Sequence, residues 1–405
     1  MIRYRASWVV PIAGPPIRDG WVAIEDGRIS GVGQDAKSSS DDRDLGRVAI
    51  MPGLVNAHTH LELSHLHKCV PPSADFVSWI RAVVASRRRD SDPHASRIVD
   101  GVQNGIDEAV RFGTAVVGDI SNTLVPAALI ARSPLAGVVF YELIRFNAPD
   151  PTGFVEQALR EVSVLPSSDR LRISLAAHAP YSVSSLVFRA IREAVDGHAH
   201  GAYSVHLSES AAEVEFIKNG SGPWRSFLED VGAWNPEWRP HGGSPVEYVE
   251  ACGFLSARAV VVHGVHMSSA DLTRLATHDA TLVTCPRSNV RTGAGIPPVA
   301  RFYQSGVRVA IGTDSLASTP DLNVFAELAE LRQLAPAVPA SRLLESATRH
   351  GARALGFDAD YGTIGPAKRA RLLAVSVPDG TNDVEEYLVS GIQAEQVRWL
   401  DAGAG

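Results

Sequence analysis

The sequence predicts an α/β protein: a (β/α)8 TIM-like barrel with a small β domain formed from both chain ends. Three observations lead there. Between the ends, short apolar β-rich runs alternate with longer helical patterns, and eight such runs can be read; that alternation implies parallel pairing and enough strands to close. Histidines and carboxylates fall at the C-terminal ends of the runs, where such barrels collect their chemistry. Strand-like segments also stand at both termini. The competing architecture is an open doubly wound sheet, and the placement of the polar residues favours the barrel.

The expected division gives residues 1–50 and 357–405 to the small β domain and 51–356 to the barrel. Near the start, Trp21 to Ile24 and Arg28 to Val32 flank Asp26-Gly27, a pair suited to a tight hairpin whose central residues need positive φ. The polar tract from Asp35 to Asp44 reads as a surface loop. The eight runs are residues 50–57, 114–119, 137–141, 171–177, 203–207, 259–263, 281–285 and 308–312. A last strand candidate, residues 371–377, is expected to pair with the N-terminal strands.

A chain of 405 residues with 45% hydrophobic content can bury a large core. A net charge of −7 without a basic block argues against nucleic acid as the partner. Cys69, Cys252 and Cys285 are scattered, so neither a disulfide framework nor a thiolate zinc site is indicated. The apolar stretch at residues 8–13 is short and cut by Pro11, so no signal peptide or membrane span is expected and the cytoplasm is the default. The expected partner is a small-molecule substrate, with no nucleic acid and no membrane; a homodimer is compatible with the sequence.

The first run leads into His58-Thr59-His60. Positions i and i+2 of a strand share a face, so both imidazoles can turn inward as a ligand pair. The chain has 14 histidines, so the spacing alone is weak: His65/His67 and His198/His200 repeat it without closing an apolar run, and read as connector or surface residues. The other runs strengthen the first pair. Asp119 ends the second and His178 the fourth. His206 ends the fifth, with Glu209 three residues on, in a loop position suited to a proton carrier. His263 ends the sixth, while His266 lies too far along to face the same mouth. Asp314 follows the eighth. Imidazole and carboxylate donors suit zinc or another divalent first-row ion, and such a site lowers the pKa of water toward about 7.

Taken in order and spacing, HTH, HAPYS, HLSES, HGVHM and GTDSLAS resemble the amidohydrolase superfamily, in its adenosine- and cytosine-deaminase-like branch. The resemblance spans nearly the whole chain, including Met51-Pro52-Gly53 and the split β domain. It implies His58, His60, His206 and Asp314 as ligands of one divalent ion, Zn2+ or Fe2+. It also implies catalytic roles for Glu209 as proton shuttle, His263 as the residue orienting the nucleophile or polarising the substrate, and Asp314 as proton acceptor, with His178 touching substrate. Some members hold two metals bridged by a carboxylated lysine on the fourth strand; none of Lys37, Lys68, Lys218 and Lys368 lies on a proposed barrel strand, which favours one metal. The implied reaction is hydrolytic deamination of an amino-bearing ring carbon.

Finer features, namely His60-Leu61-Glu62-Leu63-Ser64, the tryptophans Trp224, Trp234 and Trp238, and Cys285-Pro286-Arg287-Ser288-Asn289, resemble the aminodeoxyfutalosine deaminases of the futalosine route to menaquinone. By that resemblance the substrate is a 6-aminopurine nucleoside with a bulky 5′ substituent. Glu62 would then accept hydrogen bonds from ribose or ring, and Arg287 would pair with a substrate carboxylate; the plain alternatives are a solvated loop residue and a structural salt bridge. The connection from Glu213 to Gly253 is expected either to wall the barrel mouth or to pack as an ordinary loop. Ala370-Arg371-Leu372 departs from the usual Ala-Asp-Leu of these proteins. Other readings are an S-adenosylhomocysteine or methylthioadenosine deaminase, a guanine deaminase, a triazine chlorohydrolase, or a catalytically inactive scaffold.

Overall fold

The computed structural model describes residues 1–34, 42–89, 92–197 and 201–400. Its strands, in chain order, are β1 (Ile2–Val9), β2 (Ile17–Glu25), β3 (Arg28–Gly33), β4 (Asp42–Asp44), β5 (Val48–Pro52), β6 (Leu54–Thr59), β7 (Thr114–Ser121), β8 (Ala136–Leu143), β9 (Leu171–Ala177), β10 (Tyr203–Leu207), β11 (Ala259–His263), β12 (Thr281–Thr284), β13 (Arg308–Ile311), β14 (Leu372–Ser376) and β15 (Val397–Trp399).

Strands β6 to β13 form one eight-stranded sheet in sequential order, each neighbour pair parallel. Helices lie between successive strands and cover the outside, so nearly every strand residue is buried. That two-sided burial is why the strands read as continuous apolar runs and not as alternating ones. The ends of the sheet meet at a seam between β6 and the residues after β13. There the His58 carbonyl accepts the amides of Thr313 and Asp314 at 3.1 and 3.0 Å, and the Asn56 side chain exchanges bonds of 2.7 and 3.0 Å with Thr313. Barrel closure thus fixes the first histidine beside the last carboxylate.

The remaining seven strands make a mixed sheet from both chain ends, in which β14 runs antiparallel to β5. Asp26 and Gly27, at φ 48° and 71°, turn β2 into β3. Two expectations need correction. The run at 50–57 is two strands: β5 belongs to the terminal sheet and β6 opens the barrel. The break is Gly53, where a Cβ would meet the Ala115 Cβ at 2.6 Å, a close approach that only glycine tolerates. Both halves are buried and apolar, so periodicity could not show the change of sheet. Within the polar tract, residues 35–41 lie outside the described residues, but Asp42–Asp44 pair in parallel with β1 as β4. Among the described residues, no helix is long and apolar enough to cross a membrane.

Candidate active site

Several barrel strands deliver side chains to the same rim. His58 on β6 and His60, one residue past its end, reach the cluster; β10 brings His206 opposite Val262, and the next rung pairs Leu207 with His263. Three non-glycine residues at these strand ends hold left-handed backbone: Ser208 at φ 52°, His263 at 77° and Asp314 at 61°. Such conformations are costly and persist where surrounding structure enforces them.

The donors converge. His60 Nε2 lies 3.3 Å from His206 Nε2, and Asp314 Oδ1 stands 3.6 Å from His60 Nε2 and 3.8 Å from His58 Nε2. Two donors about 2.1 Å from one ion at a tetrahedral angle are about 3.4 Å apart, so the spacing fits a shared cation. Both His58 ring nitrogens are buried without a hydrogen-bond partner, which a ligand role would resolve. His206 Nδ1 donates to the His178 carbonyl at 2.9 Å; a carbonyl only accepts, so the tautomer leaves Nε2 with a free lone pair. Burial, followed by the neighbouring imidazoles, holds the pKa of His58 and His263 well below the usual value. Burial also lowers His206 to about 3, against the pull of Glu142, so these rings are neutral.

Glu209 sits over the cluster with Oε1 3.5 Å from His263 Nε2. Burial first, then Asp314 and Glu213, push its pKa well above that of an ordinary carboxyl. His263 Nδ1 accepts from Asn289 Nδ2 at 2.9 Å, which places the His263 proton on Nε2, toward Glu209. His178 lies at the same rim, its Nδ1 bonded to Ser182 Oγ at 2.5 Å. A cavity of about 320 Å3 reaches from these residues to Trp79, Phe227 and Trp224.

Three positions fall elsewhere. Arg287 does not line that cavity: its guanidinium holds Asp321 at 2.8 Å and Glu327 at 3.6 Å, so it is a structural ion pair and not a substrate anchor. Glu62 is buried, not solvated. Its carboxylate accepts from Arg87, Ser121, both the amide and hydroxyl of Thr123, and the Asn122 amide at 2.7 to 3.0 Å. Its acceptor capacity is spent on the loop after β7, which argues against a direct bond to substrate. Asp119 is buried, accepts from the Leu61 amide at 2.7 Å and does not line the cavity. His65 and His67 bond the carbonyls of Glu62 and Pro320, and His266 bonds that of Ala294; His198 and His200 lie outside the described residues. Of the three tryptophans, only Trp224 lines the cavity, stacked 3.6 Å from Tyr181. Trp234 and Trp238 pack on Phe146 and Phe216.

The sequence reading missed four supports. Ser288 Oγ donates to Asp314 Oδ2 at 2.5 Å, and Asn289 holds His263. Glu213 accepts the amides of Ser208 and Glu209 at 2.8 and 2.9 Å, fixing the loop that carries Glu209. Glu142, at the end of β8, lies 3.4 Å from His206 Nδ1. Ser288 and Asn289 adjoin Arg287 in the quoted motif, so the signal was present but attached to the charged neighbour.

Residues 49–394 match the model of the amidohydrolase family. An aminodeoxyfutalosine deaminase from Deinococcus radiodurans is 33% identical over 76% of this chain and 73% of its own length. A 5-methylthioadenosine/S-adenosylhomocysteine deaminase from Moorella thermoacetica is 28% identical, covering 96% and 90%. Among solved structures, an adenosine deaminase from Xanthomonas campestris with bound zinc superposes with TM-score 0.83 at 26% identity, covering 99% of this chain and 92% of that one. With family match, fold and donor set in agreement, the chain belongs to the amidohydrolase family and is a metal-dependent hydrolytic enzyme.

Proposed function

We propose that this enzyme hydrolytically deaminates a 6-aminopurine nucleoside with an extended 5′ substituent, with aminodeoxyfutalosine as its substrate. One observation carries the reaction type: the buried carboxyl of Glu209, its pKa raised by burial, stands 3.5 Å from His263 Nε2 beside the His58, His60, His206 and Asp314 side chains. The names of the relatives support the nucleoside class, since aminodeoxyfutalosine, methylthioadenosine and S-adenosylhomocysteine all present an adenine ring.

His58, His60, His206 and Asp314 would hold one divalent ion, zinc or iron, which supplies Lewis acidity and lowers the pKa of water. The chain's own groups do the rest. Asp314 accepts the proton of the attacking water. Glu209, as the acid, delivers a proton to the ring nitrogen beside the amino-bearing carbon, then takes the proton of the new carbon-bound hydroxyl and passes it to the departing amine as the carbonyl forms. His263, with its proton on Nε2, steadies the oxygen that becomes the product carbonyl, and His178 contacts the ring. The cavity's apolar walls, Trp79 and Phe227 among them, exclude bulk water from these transfers.

The test is deamination of aminodeoxyfutalosine, S-adenosylhomocysteine, methylthioadenosine and adenosine by metal-loaded protein, followed by loss of adenine absorbance. A sample with full metal content and no turnover of any of them refutes the reading.

A further inference from the structure

The cavity over the cluster opens into another. Val84, Arg87, Arg88, Asn122, Glu142 and Ile144 line both it and a second chamber of about 770 Å3. The first cavity, at about 320 Å3, is small for a nucleoside with a long tail, and the shared wall is the way out for whatever it cannot hold.

Charge in the second chamber is unevenly committed. Its carboxylates are Glu62, Glu142 and Glu161. Glu62 is saturated and paired with Arg87 at 2.8 Å. Glu142 accepts from Asn122 Nδ2 at 2.8 Å, and Glu161 accepts from the Tyr141 hydroxyl at 2.6 Å and Gln157 at 3.0 Å. Arg88 and Arg145 line the same chamber without a hydrogen-bonded or ion-paired side-chain partner among the described residues; Arg145 lies flat over Phe154, 4.7 Å from the ring centroid. An exposed arginine without a partner is ordinary. Two of them facing one chamber, beside Phe154 and the half-exposed Ile144, form a surface that is apolar with two open cations.

We propose that this chamber receives the 5′ substituent of the nucleoside and is built for a net-anionic, aromatic one: an aryl carboxylate, paired by Arg88 and Arg145 and packed against Phe154 and Ile144. The proposal rests on the nucleoside-deaminase reading above. A zwitterionic amino-acid tail fits less well: its ammonium would meet a surface with two open cations, and the one carboxylate oxygen of the three acids left without a donor, Glu142 Oε1, is buried 3.4 Å from His206 Nδ1 at the cluster. The chamber therefore ranks a benzoate-bearing nucleoside such as aminodeoxyfutalosine above S-adenosylhomocysteine, and both above methylthioadenosine, which leaves the chamber empty.

The experiment compares kcat/KM for these three substrates in metal-loaded wild type and in the double variant Arg88→Ala/Arg145→Ala, with Arg88→Lys/Arg145→Lys as the charge-retaining control. The expected result is that the aminodeoxyfutalosine-to-methylthioadenosine ratio falls at least 10-fold in the alanine variant, chiefly through KM, and recovers in part in the lysine variant. An unchanged ratio, while wild type deaminates both, overturns the chamber assignment alone. An equal fall for S-adenosylhomocysteine and aminodeoxyfutalosine overturns its preference for a net anion. A wild type that deaminates none of the three refutes the nucleoside reading, and the chamber assignment with it.

Discussion

His60 Nε2 and His206 Nε2 face each other at 3.3 Å although 146 residues separate them in the chain. Because His206 donates its Nδ1 proton to a carbonyl, its Nε2 presents a lone pair to its partner, which a cation held between the two rings would satisfy. The protein should therefore carry one divalent ion per chain. Asp314→Ala and His206→Ala should each reduce that content toward zero, and chelation should lower the wild-type melting temperature, since a ligand bound only by the native state stabilises it by mass action. Elemental analysis and thermal melts on the same samples check this. Full metal content in Asp314→Ala would remove the aspartate from the donor set.

Glu209 and the carboxylate beneath it should separate cleanly. Glu209→Gln keeps the shape of the cavity but cannot carry a proton, so kcat should fall about 10²- to 10⁴-fold with metal retained. Glu213→Ala removes the acceptor for the Ser208 and Glu209 amides. Leaving two buried amides unpaired costs about 1–3 kcal/mol each, so this variant should lose stability as well as kcat. A Glu209→Gln enzyme at near-normal rate would end the shuttle assignment.

Arg287 supplies the converse case. Burial pushes Glu327 up to about 8, and Arg287 is the first influence pulling it back. Arg287→Met should destabilise the fold by about 1–3 kcal/mol in urea unfolding, because the guanidinium's hydrogen bonds to Asp321 are lost and the buried Glu327 carboxyl loses its neighbour. KM should not change, since the guanidinium does not line the cavity. A KM that rises 10-fold with stability intact would restore Arg287 as a substrate contact.

What the sequence made legible follows from this physics. Parallel strands buried on both faces are continuous apolar runs, so all eight barrel strands could be read, and with them the rim positions of His58, His206, His263 and Asp314. The split at Gly53 was hidden because apolar residues continue across it. Ser288 and Asn289 were hidden for another reason: each acts across a contact to a residue 26 positions away, and a short polar side chain on a helix carries no local sign of that partner. Glu62 and Arg287 attracted attention as charges, yet a charge can equally be consumed inside the protein, and only the count of its partners shows which has happened.

His350 links the barrel's outer layer to pH. It lies in the helix Arg349–Ala354 with its side chain 18% exposed, and Nδ1 donates to the Val309 carbonyl of β13 at 2.9 Å. Burial is the main cause that lowers its pKa to about 4 from 6.5, with the Val309 bond opposing. As pH falls, the unfolded chain takes up this proton near 6.5 and the folded protein does not until near 4. The contribution is therefore intact above 6.5 and is lost between 6.5 and 4, at no more than about 1.4 kcal/mol per pH unit for one proton. In His350→Asn the carbonyl bond can be kept by the side-chain amide while the titration is removed. Urea unfolding at several pH values should show the wild-type advantage over this variant shrinking from pH 7 to pH 4.5, because the other titrating groups are common to both and cancel. A difference that stays constant across that window would mean that His350 ionises freely in the folded protein.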